Sequence, residues 1–166
     1  MIAKQQIREL VLHYCRAVDR RDYDMLYTLY HQDSVDEHGG MFCGSGRAFV
    51  DWLPGILESM KITSHSVTNH LIAVQGSEAE GEVMCTAYHL TGDNQEIIIG
   101  GRYLDKYICV AGRWLFKHRK IVMDWNRIQP SAADFTSPAV AGTPVGGVLA
   151  QDPSSCFFDY LFRNSE

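Results

Sequence analysis

Four residues of this chain have the chemistry to move a proton or steady a charge, and each also admits a purely structural role: Arg119, Asp19, Tyr14 and His65. Arg119 falls on the alternating face shared by Leu115, Ile121, Met123 and Trp125. A guanidinium among apolar neighbours is costly unless partnered. It is therefore either half of an ion pair with an acid on an adjacent strand or a ligand for an anion or carbonyl. Arg102 interrupts the run Ile97 to Gly101 in a similar way, with Asp124 as a possible partner. Tyr14 lies in the apolar stripe of the first helix. Asp19 follows five residues later, about 140° further round a regular helix, so the two converge only if the helix end unwinds. A carboxylate near a helix C-terminus is disfavoured by the dipole, which hints that another group holds it there. In KITSHSVTNHLIAV, His65 shares a face with Val67, Asn69, Leu71 and Ala73. A strand histidine is more often a hydrogen-bonded structural residue than a catalyst. If a carboxylate orients it, a neutral imidazole becomes a general base at neutral pH.

The other reactive residues say less. His31 ends a predicted helix, and His13, His89 and His118 read as surface or sheet-edge residues. Asp36-x-His38 has metal-ligand chemistry but no third ligand at useful spacing, so no metal site is expected. Cysteines 15, 43, 85, 109 and 156 are odd in number and irregular in spacing, without a CxxC, which points to reduced thiols in a cytosolic (cytoplasmic) protein. No GxSxG, P-loop or dinucleotide fingerprint occurs.

The elements that must position these residues follow from hydrophobic period. Ile7, Leu10, Val11, Tyr14 and Val18 mark one face of a helix from Ala3 to Asp19. Asp22 reads as the N-cap of a second helix, Tyr23 to His31. Val35 to His38 suggests a short strand. A third helix is predicted from Arg47 to Met60, with Pro54 near its middle predicting a break or kink. From about residue 62 the period changes. Ser64 to Gln75, Glu78 to Leu90, Glu96 to Val110 and Arg113 to Asn126 read as strands of an antiparallel meander, joined at Gly76-Ser77, Gly92-Asp93-Asn94 and Ala111-Gly112. Helices followed by strands imply an α+β domain, three helices packed on a curved, mainly antiparallel sheet. A tail rich in Gly, Pro, Ser and Ala follows from Pro130. Its apolar end, Cys156 to Phe162, is expected to dock on its own or a neighbouring subunit.

Composition bounds the rest. The chain has 166 residues, 46% of them hydrophobic and 21% charged, enough for one domain and for a core without disulfides or metal. A net charge of -5 argues against nucleic acid as the main partner. The N-terminus has no apolar run before a cleavage site, so no signal peptide is expected. The stretch Ala139 to Ala150 is far shorter than the roughly 20 residues of a membrane span.

The segments HYCRAVDRRDYDMLYTLY, SHSVTNHLIAV, IIIGGRYLDKY and GRWLFKHRKIVMDW, covering residues 1–126 in order, resemble SnoaL-like members of the nuclear transport factor 2-like superfamily. That branch includes hexachlorocyclohexane dehydrochlorinase, bile-acid 7α-dehydratase and scytalone dehydratase. The resemblance implies a cone-shaped α+β barrel over residues 1–129 with a deep pocket, the segment 130–166 being a tail. It implies that Asp19 and His65 form the dyad, His65 abstracting a proton, with Tyr14 and Arg119 stabilising the leaving group or a developing negative charge. Pocket walls are then expected from Tyr27, Tyr30, Phe42, Trp52, Asn69, Met84, Tyr88, Tyr103, Met123 and Trp125, suited to a bulky apolar cyclic substrate. Such an elimination needs no cofactor. A homo-oligomer, dimer or trimer, is expected, with tails contributing contacts. An isomerase, a polyketide-type cyclase and a non-catalytic ligand-binding or assembly domain fit the same scaffold.

Overall fold

The computed structural model describes residues 1–161. The first helix, α1 (Ile2–Arg20), buries Ile7, Leu10, Val11, Tyr14, Ala17 and Val18, the face its period marks. It ends at Arg21, a non-glycine residue in the left-handed conformation (φ 59°). That conformation costs about 1–2 kcal/mol for a residue with a Cβ. The Arg21 guanidinium compensates by donating to Thr63 Oγ1 and to the carbonyls of Val18, Leu57 and Met60. Asp22 then caps α2 (Tyr23–Leu29), accepting from the Met25 amide at 3.1 Å.

Here the chain departs from its sequence expectation. The second helix stops at Leu29, and Tyr30 and His31 open the strand β1 (Tyr30–Glu37) rather than closing the helix. Tertiary pairing decides this. Tyr30 enters the sheet opposite Phe116, and their rings pack with centroids 5.3 Å apart. A short β2 (Cys43–Ser45) pairs antiparallel with β1. Ser45 caps α3 (Gly46–Leu57) by accepting from the Ala48 amide. The helix continues through Pro54 without the expected break and ends short of Met60, which begins the next strand.

Four long strands follow: β3 (Met60–Gln75), β4 (Glu78–Thr91), β5 (Gln95–Val110) and β6 (Arg113–Pro130). They form the expected meander, but the sheet has six strands in the order β2-β1-β6-β5-β4-β3, with β1 parallel to β6. The architecture is α+β, with N-terminal helices on a mixed, mainly antiparallel sheet. The core lies between the helices and the sheet's inner face, where Val83, Cys85, Tyr103, Tyr107 and Phe116 meet α1 and α3. Bulges between Val67 and His70 and between Gly100 and Gly101 shift which residues face inward.

After β6 the tail leaves beside the β4–β5 turn, the Ser131 amide donating to the Asn94 carbonyl. It crosses the edge strand β3 and returns to α1 through a short 3₁₀ turn (Leu149–Gln151) and α4 (Ser154–Phe157). Docking is made by Asp152, buried and 3.1 Å from Arg20 Nε, and by Arg16, which donates to Ser154 Oγ. Phe157, Phe158, Tyr160 and Leu161 are exposed on the chain, and Phe162 lies outside the described residues.

Candidate functional site

The last turn of α1 and the start of β3 bring Asp19 and His65 together. His65 Nδ1 lies 2.7 Å from Asp19 Oδ1, and the His65 backbone N–H donates to Asp19 Oδ2 at 2.8 Å. Both carboxylate oxygens are thus committed to one residue, which fixes ring position as well as tautomer. The helix-end acid has the holder its unfavourable dipole position called for. The side chains are 10% and 12% exposed. With Nδ1–H donating to Asp19, the lone pair of Nε2 remains, and among the described residues Nε2 makes no hydrogen bond and is not enclosed.

Tyr14 and Arg119 are brought to each other instead. Arg119 is fully buried and donates through Nε and Nη2 to Asp105 at 2.8 and 2.7 Å. Asp105 faces it from the adjacent strand and also accepts from Tyr107. The guanidinium lies 4.2 Å from the ring centre of Tyr14 and 4.1 Å from those of Tyr103 and Phe116. Burial alone would lower the Arg119 pKa, but the Asp105 carboxylate outweighs it and holds the pKa well above the ordinary value. Burial raises the Tyr14 phenol despite the nearby cation. Of the two roles open to Arg119, ion pair or ligand, the geometry is that of the ion pair, with Nη1 left enclosed and unpartnered. Arg102 likewise pairs with Asp124, and with Glu82.

The ten expected wall residues do not line one chamber. Tyr30 and Tyr103 are core residues, Tyr30 donating to the buried Asp36. Phe42 and Trp52 pack with Phe49 beside α3. Tyr27 is half-buried, its hydroxyl on Asp51 and Arg47 over its ring. Asn69 sits exposed in the β3 bulge. Met84 and Tyr88 share the outer face of β4, opposite Val83, Cys85 and Ala87. Trp125 lies across Gly100 and is 53% exposed, while Met123 is 58% exposed.

Among the described residues, two cavities stand out beside the sheet. The larger, about 620 Å³, is an open trough on the outer face, lined by Leu71, Glu82, Leu104 and Lys120 among others, away from the dyad. The other, about 420 Å³, lies where α1 ends, bounded by Asp19, Arg20, Arg21, Lys61 to Ser64 and the tail from Phe135 to Val148. It meets the dyad at Asp19, and His65 is not in its wall.

His89, read from sequence as peripheral, faces inward. Its ring stands perpendicular to that of His65 with centroids 5.6 Å apart, and its Nδ1 is enclosed without a hydrogen-bond partner. Burial, reinforced by His65, lowers its pKa below the ordinary value. The signal was available: His89 shares parity with Val83, Cys85 and Ala87 on β4. Cys15 lies on α1 between Tyr14 and Asp19, and burial pushes its thiol up to about 12, an inert state rather than a nucleophile. A second histidine–carboxylate pair, His38 Nδ1 to Asp36 Oδ1 at 2.5 Å, is stacked on Phe49 beneath α3. No helix among the described residues is long and apolar enough to cross a membrane.

The architecture recurs among solved structures. One of a putative scytalone dehydratase from Novosphingobium aromaticivorans DSM 12444 superposes with a TM-score of 0.72 at 24% identity, over 80% of this chain and 91% of that one. One of a hexachlorocyclohexane dehydrochlorinase (LinA) type 2 gives 0.74 at 20% identity, over 82% and 95%. At these identities the likeness is one of fold. In sequence, the uncharacterized protein Rv2910c of Mycobacterium tuberculosis (strain ATCC 25618 / H37Rv) is 25% identical over 103 residues, 60% of this chain and 70% of that protein. Residues 1–120 match the model of the SnoaL-like domain. Helices, sheet order and that match agree: the chain belongs to the SnoaL-like family.

Proposed function

We propose that this protein is a cofactor-independent lyase, of dehydratase or dehydrohalogenase type, in which His65 is the base and Asp19 orients it. The observation that carries the reading is the double contact of Asp19 with the ring and backbone of His65, at 2.7 and 2.8 Å. In the elimination, a C–H proton passes to His65 Nε2 as a carbon–carbon double bond forms and the bond to the leaving group breaks. Asp19 stabilises the imidazolium. The proton on Nε2 is then available to a departing hydroxide, which leaves as water, whereas a halide departs without it. General-base catalysis of this kind contributes about 10²–10⁴ in rate. Arg119, paired with Asp105 and packed under Tyr14, acts as a positioning residue that fixes the α1–sheet contact. The structural neighbours named as a dehydratase and a dehydrochlorinase support the reaction class. The same reading takes a bulky apolar cyclic substrate and a homo-oligomer, in keeping with Leu71, Met84 and Trp125 exposed on the sheet.

One observation favours a second reading, a non-catalytic domain. Tyr14, Tyr103, Phe116 and the Arg119–Asp105 pair fill the space between helix and sheet that a deep chamber would occupy. The two readings separate in one experiment. Steroids, cyclic polyketides and halogenated rings are screened for release of water or halide, and His65→Ala is run beside the parent. The lyase reading expects turnover that His65→Ala abolishes with the thermal midpoint nearly unchanged. Turnover retained in the variant, or a large loss of stability with activity kept, refutes it.

A further inference from the structure

The cavity at the end of α1 has two walls of different chemistry. The tail wall is apolar, presenting Phe135, Val140, Pro144, Val145 and Val148. The wall formed by α1 and β3 carries Arg20, Arg21 and Lys61. Only Arg20 has its charge met, by Asp152 at 3.1 Å. Arg21 donates only to neutral oxygens, those of Thr63, Val18, Leu57 and Met60. Lys61 donates to the amide oxygen of Asn94 at 3.2 Å. Among the described residues neither forms an ion pair. Asp19 is the one carboxylate in the lining, and His65 occupies both its oxygens. Burial lowers the Arg21 pKa, against the raising influence of Tyr23 and Asp19. The cavity thus concentrates positive charge in a chain whose net charge is -5.

We propose that this cavity binds a small apolar molecule carrying an acidic group, the apolar part against the tail and the acid toward Lys61 and Arg21. The site goes beyond the dyad reading and does not rest on it. Asp152 holds the tail wall in place, accepting from the Gly147 amide, the Ser154 amide and the Ser154 hydroxyl as well as from Arg20.

The test uses two dyes with one ring system. 8-Anilinonaphthalene-1-sulfonate carries the acid and N-phenyl-1-naphthylamine lacks it. Each is titrated by fluorescence into the full chain and into Lys61→Gln, Lys61→Glu and Val145→Trp. The sulfonate is expected to bind about tenfold more tightly than the neutral dye, the effect of one charge-assisted contact. Lys61→Gln is expected to remove most of that difference and Lys61→Glu to remove all of it, while Val145→Trp, which fills the cavity, weakens both dyes. Equal affinity for the two dyes, or a sulfonate preference indifferent to Lys61, overturns the charge assignment. Binding indifferent to Val145→Trp overturns the location. The readout is binding, so a chain that turns nothing over can pass and an active lyase can fail.

Discussion

Replacing Asp105 by asparagine should destabilise this protein more than almost any other change of comparable size. Arg119 and Asp105 are both 0% exposed in their side chains and joined by two hydrogen bonds of 2.8 and 2.7 Å. Asparagine keeps the shape and one acceptor but removes the charge, leaving a fully buried guanidinium whose Nη1 already lacks a partner. Breaking a buried pair from one side costs about 3–5 kcal/mol, because the remaining charge stays desolvated. The stacked rings of Tyr14, Tyr103 and Phe116 offset part of that loss, worth about 0.5–2 kcal/mol per cation–π contact, and place the expected value near the lower end. A domain of this size shifts its midpoint by about 2–4 °C per kcal/mol, so the drop is roughly 6–12 °C. Urea unfolding followed by circular dichroism gives the free energy, and a thermal scan gives the midpoint. The double variant Asp105→Leu/Arg119→Met removes both charges and should recover to within about 1–2 kcal/mol of the parent, since buried ion pairs seldom outperform packed hydrophobes. A loss below about 1 kcal/mol in Asp105→Asn, or a double variant as unstable as the single, would refute the structural assignment of Arg119.

Two adjacent glycines should behave differently. At Gly101 an added Cβ meets the Val122 carbonyl oxygen at 2.3 Å, a backbone atom at the bulge that cannot retreat, so Gly101→Ala should cost about 1–3 kcal/mol in urea. At Gly100 it meets the half-exposed Trp125 ring, which can swing outward, and the cost of Gly100→Ala should be distinctly smaller. The tail should loosen in acid. The Ser154 hydroxyl, the Gly147 and Ser154 amides and Arg20 together hold the Asp152 carboxyl at about 2, down from 3.8. A depressed carboxylate stabilises above its unfolded value and ceases to as pH falls through its folded value. Pepsin cleavage of residues 131–161, mapped by mass spectrometry, should therefore rise from pH 3.8 to pH 2 in the parent and be high throughout in Asp152→Asn. For His89 the sign is that of a base held neutral: burial lowers its folded pKa, so the unfolded chain takes up the proton first and stability falls as pH drops below 6.5. His89→Gln should flatten that slope in denaturant titrations, and an unaltered slope would contradict the buried, neutral ring.

Elements with one uninterrupted period were legible, and those decided by distant partners were not. The α1 stripe from Ile7 to Val18 and the four-strand meander follow from local spacing alone. The end of α2 does not, because Tyr30 is drawn into a parallel pairing with Phe116, 86 residues away in β6. The exposure of Asn69 and Trp125 has a related cause. Alternation predicts faces until a bulge intervenes, and the bulges at Val67/His70 and Gly100/Gly101 change the parity that had put Asn69 and Trp125 inside. Arg119 announced its need for a partner, but only the β5–β6 register names Asp105. The tail shows no period because hydrogen bonds around Asp152, rather than a helical or strand repeat, hold it in place. The Asp19–His65 pairing became legible through family resemblance, since neither spacing nor period brings a helix end to the beginning of a strand 46 residues later.

Asp19 holds the imidazole of His65 with its proton on Nδ1 and its lone pair on Nε2. Long-range ¹H–¹⁵N correlation spectra of the histidine rings in mildly alkaline buffer read this directly, with His65→Gln supplying the assignment. The predicted result is the Nδ1–H tautomer for His65, with a strongly hydrogen-bonded ring proton that disappears in Asp19→Asn. A His65 ring protonated on Nε2, or a spectrum that Asp19→Asn leaves unchanged, would contradict it.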